Sequence, residues 1–147
     1  MKQLLISLLL VTLCFEAAAQ KKYKIITTIE SIVPGGLGRS RIIESTQSID
    51  ANQFTTQRVN GKDSKQEDVK RSDAKIDAMN ETKILNFFSM VGINFQNIAS
   101  NDAMITSVLN TMSQEGWELF TVVSGVESDA GKDDGNGVFI TRYIFRK

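Results

Sequence analysis

Apolar and polar positions alternate regularly along several stretches of this chain, and those stretches set its architecture. The most informative is Asn101 to Val126, NDAMITSVLNTMSQEGWELFTVVSGV. Ile105, Val108, Leu109 and Met112 recur at i, i+3, i+4 and i+7, which puts them on one face of a helix. Asn101 or Asp102 offers the short side-chain oxygen that caps a first turn. Gly116 stands where a helix ends on a left-handed residue. Beyond it Trp117, Leu119, Thr121 and Val123 alternate with Glu118, Phe120, Val122 and Ser124, the two-residue period of a strand. Trp117 is expected to be the core residue that joins helix to sheet.

Three further segments read as strands. In KYKIITTIESIV, from Lys22 to Val33, Tyr23, Ile25, Thr27 and Ile29 form one face, and Lys24, Ile26, Thr28 and Glu30 the other. RSRIIESTQSI, from Arg39 to Ile49, follows across a glycine-rich loop, so the two predict a hairpin, with Pro34 at the end of the first strand. At the other end of the chain, Phe139, Thr141, Tyr143 and Phe145 oppose Ile140, Arg142, Ile144 and Arg146 in a strand expected to pair antiparallel with Trp117 to Ser124. Ile84 to Ile98 is apolar again. Its first part, Ile84 to Met90, suggests a third strand, and Gly92 a bend. Phe87, Phe88, Ile93 and Phe95 are expected in the core, or else lining a cleft.

Between these segments, Asp50 to Lys83 changes character. Phe54, Val59, Val69, Ile76 and Met79 are scattered among Lys, Asp, Asn, Gln and Glu, which reads as a charged, mobile insertion at about 50–83. Asn60-Gly61 has turn chemistry, and a short helix around Asp68 to Met79 is one option. The sum is an α+β domain: a mainly antiparallel sheet of four or five strands with one principal helix packed on a face.

Composition then narrows location and chemistry. Lys2 followed by the apolar run Leu4 to Leu13 and by Ala17-Ala18-Ala19 predicts a signal peptide over residues 1–19, cut near Ala19-Gln20. The run falls short of the ~20 residues that span a bilayer. Residues 20–147 then form a single exported domain, periplasmic or extracellular, with no transmembrane helix in the mature chain. A lipoprotein carried on Cys14 is the competing reading, and Leu13 before that cysteine argues against it. The chain has 17 basic and 17 acidic residues, interleaved, so nucleic acid is not an expected partner. It has no histidine and one cysteine, Cys14, which removes Ser–His and Cys–His nucleophiles and thiolate zinc sites from the mature protein.

Candidate chemistry is correspondingly thin. Gly35, Gly36 and Gly38, with Arg39 and Arg41 nearby, suggest a phosphate cradle, but the spacing matches neither standard loop and no helix start follows. The acidic stretch with Asp129, Asp133, Asp134 and Asn136 suggests calcium. Read as an EF-type loop from Asp129 it puts Gly131 and Asp134 at the third and sixth positions and lacks a terminal bidentate Glu, so a solvated hairpin loop is favoured. Glu44, Asp102, Glu115 and Glu118 are the acids available for carboxylate catalysis, and Arg142 and Arg146 share a strand face that suits an anion. Capping, a last-turn position and outward strand positions explain these residues equally well. No catalytic, cofactor-binding or metal residue is assigned.

Glu115, Gly116, Trp117, Glu118 and Leu119, together with Arg142, Tyr143, Phe145 and Arg146, resemble the small bacterial domains of unknown function numbered family 4177. Those domains carry an EGWEL-type strand after a helix and end on an aromatic-basic strand. The likeness covers the last third of the chain, and this chain departs from it in its long first hairpin loop and its charged insertion. It implies a compact sheet with a helix on one face and implies no activity. The function expected is a non-catalytic binding or interaction module of the bacterial cell envelope, meeting an envelope protein or small ligand through a sheet edge or the glycine-rich loop. The alternative is a small carboxylate- or arginine-based hydrolase or anion-binding enzyme.

Overall fold

A computed structural model describes residues 20–33, 39–127 and 137–147. The predicted leader, the glycine-rich loop and the acidic loop with its calcium alternative lie outside the described residues.

The sheet is five-stranded and antiparallel throughout. β1 (Tyr23–Ser31), β2 (Arg41–Ser45), β3 (Met79–Lys83), β6 (Glu118–Glu127) and β7 (Val138–Arg146) are arranged β3-β2-β1-β7-β6. A two-stranded hairpin, β4 (Phe88–Ser89) and β5 (Gly92–Ile93), stands outside it. One helix, α1 (Phe95–Gln114), covers a face. This is the α+β architecture that the two periodicities predict.

The strongest alternation lies at the sheet centre. β1 pairs with β7 along its whole length, and backbone bonds between Lys22 and Lys147, at 2.9 and 3.0 Å, extend the ladder. Ile26, Ile42 and Phe145 turn toward the helix and are buried with Ile84 and Met112; Met104, Ile105, Val108, Leu109, Trp117 and Tyr143 pack against them. The predicted stripe is therefore the buried face of α1. On the other face Tyr23, Ile25, Thr27 and Ile29 lie in register with Arg146, Ile144, Arg142 and Ile140. A buried polar staple closes the ends of β1 and β2. Ser31 N–H donates to Ser40 Oγ at 3.0 Å, Ser40 Oγ donates to Asn86 Oδ1 at 2.6 Å, and Asn86 Nδ2 donates to Val33 O at 3.3 Å.

Several expectations are corrected. The helix begins at Phe95, capped by Asn94, whose side-chain oxygen accepts from Asn97 N–H at 3.1 Å; neither Asn101 nor Asp102 is the cap. Asn101 is instead buried at mid-helix. The strand that follows β2 is Met79–Lys83, inside the charged insertion, rather than Ile84 to Met90. Its five residues are all exposed, so no alternation marks it in the sequence. Asp68 to Met79 holds turns and no helix; a 3₁₀ turn at Gln66–Asp68 precedes it and another lies at Ala51–Phe54. Asn60 and Gly61 form the expected turn, with φ of 55° and 67° and Lys62 N–H donating to Val59 O at 3.1 Å. Phe87 and Phe88 are half-buried, but Ile93 and Phe95 are exposed rather than core. Trp117 is also half-buried, against the cluster rather than within it.

A bulge between Leu119 and Thr121 breaks the alternation expected after Trp117. Leu119 pairs with Phe145 on the helix side, yet Thr121 pairs with Ile144 on the opposite side. From there the two predicted faces are exchanged.

Candidate functional site

The acids singled out in the sequence separate into different neighbourhoods. Glu44 on β2 and Glu115 at the end of α1 converge on Lys24 of β1, at 2.7 and 3.9 Å from its Nζ. Asn80 Nδ2 donates to the second Glu44 oxygen at 3.3 Å. The Lys24 ammonium also lies 5.5 Å from the centre of the Trp117 ring, and that of Lys147, which donates to Glu115 O at 2.7 Å, lies 5.8 Å from it. Such cation–ring contacts tie the indole to both chain ends of the domain. The hydrogen bond from Lys24 holds the Glu44 carboxyl below its ordinary value of 4.5. A general acid working at neutral pH needs a shift in the other direction.

Glu118 lies on the far face of the sheet. Arg146 grips it in a two-pronged pair, Nε and Nη2 donating at 2.9 and 3.0 Å, and these bonds hold its carboxyl below the ordinary range. The guanidinium is 4.9 Å from the Phe120 ring centre, and Phe120 meets Tyr23 edge-on at 6.1 Å. Arg146 is thus already engaged, while Arg142 on the same face is exposed. Asp102 sits on the exposed side of α1. The structure brings Glu44 and Glu115 together and keeps Asp102 and Glu118 apart from them. Among the described residues no three His, Cys, Asp or Glu side chains group as a metal site.

The second neighbourhood is a strand edge. Among the described residues β6 pairs only with β7, which leaves its other edge without a partner strand there, and all ten of its residues are exposed. Leu119, Phe120, Val122, Val123 and Val126 are each between 42% and 62% accessible. None of them joins the core cluster. From Leu119 to Val126 there is no charge and no proline, the usual guards of an exposed edge. The opposite edge, β3, is MNETK, and its Glu81 and Lys83 supply the guard that β6 lacks.

The third is a cleft of about 500 Å³ beside β2 and β3, bordered by Arg41, Lys83, Asn86, Phe88, Met90 and Val91. Arg41 had been singled out beside the glycine-rich loop; Lys83, Met90 and Val91 had not. The signal that finds them is one of charge: Ile84 to Asn101 carries no charged side chain, between Lys83 and Asp102.

Comparison of the chain with family models, with curated proteins and with solved structures finds no match. Among the described residues no helix is long and apolar enough to cross a membrane.

Proposed function

We propose that the chain is an exported, non-catalytic binding module of the bacterial envelope that takes up an extended segment of a partner along the free edge of β6. The observation that carries this reading is the ten-residue strand exposed on both faces, uncharged and mostly apolar between Glu118 and Glu127. An added strand would satisfy its unpaired N–H and C=O groups, and alternate side chains would meet the partner on two faces. The bulge at Phe120 increases local twist and limits indiscriminate stacking of sheets. A kinship with family 4177 rests on the EGWEL block and the aromatic-basic last strand.

A photo-crosslinking side chain at Phe120 tests this in envelopes of the producing cell. The expected result is a discrete adduct on a partner strand, abolished by Val123→Glu, which introduces a charge on an exposed position opposite Arg142 and leaves the core and the β6–β7 pairing intact. Adducts unaffected by Val123→Glu, or a partner that crosslinks elsewhere and not at Phe120, would refute the edge as the binding element.

A further inference from the structure

Charged residues make up 23% of the sequence, yet the run from Ile84 to Asn101 has none. In the middle of that run the chain turns through β4 and β5 and presents the most exposed large apolar side chains among the described residues. Val91 is 98% accessible, Met90 82% and Phe95 78%.

The projection is built rather than loose. Asn94 N–H donates to Phe87 O at 2.7 Å, and Ser89 Oγ donates to Gly92 O at 3.1 Å across the turn. The Phe87 ring packs 5.6 Å from that of Phe139, fixing the hairpin's base to the sheet. Gly92 has φ of +117°, which only glycine adopts without strain, and it shapes the turn that leaves Met90 and Val91 in water.

Arg41 and Lys83 stand directly opposite each other across β2 and β3. Like charges in that relation oppose pairing. Neither forms an ion pair with a described residue, although Glu81 is two positions from Lys83 on the same strand. Both cations border the cleft that the hairpin tip also borders.

We propose that this hairpin anchors the protein to the surface of an anionic lipid bilayer. Met90 and Val91 enter the boundary between headgroups and acyl chains, while Arg41 and Lys83 meet lipid phosphates in the cleft behind them. Met90 and Val91 stand almost wholly in water at the rim of the cleft, a projection that a deformable apolar medium can surround while its phosphates reach the cationic cleft behind. Arg41, whose Nη1 donates to Ser40 O at 2.8 Å, and Lys83 are two cations without a carboxylate partner among the described residues, and at the base of an uncharged tip they supply charge complementarity to the headgroup layer. The chain is neutral overall, so the attraction is local to this patch and is screened by salt. The anchor lies apart from β6 and does not depend on its role.

Co-sedimentation of the full chain with phosphatidylglycerol–phosphatidylcholine vesicles tests the proposal. Every variant shares the N-terminal apolar run, so differences between them report on the hairpin. Met90→Ser with Val91→Ser is expected to lower partition at least about tenfold. Arg41→Gln and Lys83→Gln are each expected to lower it about fivefold on anionic vesicles and little on pure phosphatidylcholine. A Val91→Trp protein is expected to shift its emission to the blue on anionic vesicles, and free glycerol phosphate is expected not to reverse the shift. Equal partition of parent and Met90→Ser/Val91→Ser proteins overturns the proposal. So does an unshifted Val91→Trp emission, reversal by glycerol phosphate, or a lipid-free dimer that the double serine variant dissolves, since a second copy would then cover the tip.

Discussion

Asn101 turns its amide into the interior, where Nδ2 donates to Leu85 O at 2.7 Å and Oδ1 accepts from Leu85 N–H at 2.8 Å. Nδ2 also reaches Glu30 Oε1 at 3.2 Å. One side chain thereby satisfies both backbone groups of a residue that belongs to neither helix nor sheet. Asn101→Ala would orphan both groups, and the expected cost is about 2–4 kcal/mol. Urea unfolding with an unchanged slope checks it; a loss below about 0.5 kcal/mol would mean that water replaces the amide there. The chemistry that suggests a helix cap in sequence, a short amide that bonds backbone, is the chemistry used here. What the sequence does not carry is which backbone. The actual cap, Asn94, is followed by an exposed Phe95, so no apolar stripe announces the helix start.

At the scale of elements, the end of α1 was legible and its consequences are specific. Trp117 N–H donates to Met112 O and Gly116 N–H to Ser113 O, both at 2.9 Å, the paired bonds of a Schellman stop. Gly116 has φ of +81°, and a Cβ there would meet only the end of the Lys147 side chain at 3.5 Å. Backbone strain alone is therefore at stake, and Gly116→Ala is expected to cost about 1 kcal/mol. Thermal unfolding would show it as a drop of a few degrees, and an unchanged midpoint would mean that the stop had rearranged. β1, β7 and the buried face of α1 were readable because each buries one face and exposes the other. β3 was not, because an edge strand with every residue in water leaves no alternation to read. The bulge in β6 was hidden for a related reason: with both faces exposed, an exchanged phase moves no residue from core to solvent.

For the whole molecule, the absence of histidine leaves carboxylates to shape the response to acid. Glu44 and Glu118 are both held below 4.5 by hydrogen bonds from Lys24 and Arg146. A lowered folded value gives stability that is fully present above the unfolded value and is lost as pH falls through the folded one. The melting temperature is expected to be flat around neutrality and to fall on the acid side. Glu44→Gln should remove part of that fall and cost less than about 1 kcal/mol at neutral pH, since the Lys24–Glu44 pair is a quarter exposed. A step in melting temperature near neutrality would contradict this account. The candidate surfaces were legible in part. A sheet edge was anticipated in general terms, but β6 was marked as a strand without being marked as the outermost one. Position in a sheet depends on pairings between distant segments, and Thr27↔Arg142 is such a pairing. That same pairing dictates when the molecule can form. The central strand, β1, has one neighbour close in sequence, β2, and one far from it, β7, so β1, β2 and β3 can pair before β7 is made while the other half of the sheet waits for it. Joining β6 to that half is a closure between distant segments, slow for the molecule's size, and a product stopped before Val138 would hold β1, β2 and β3 with no strand to carry β6.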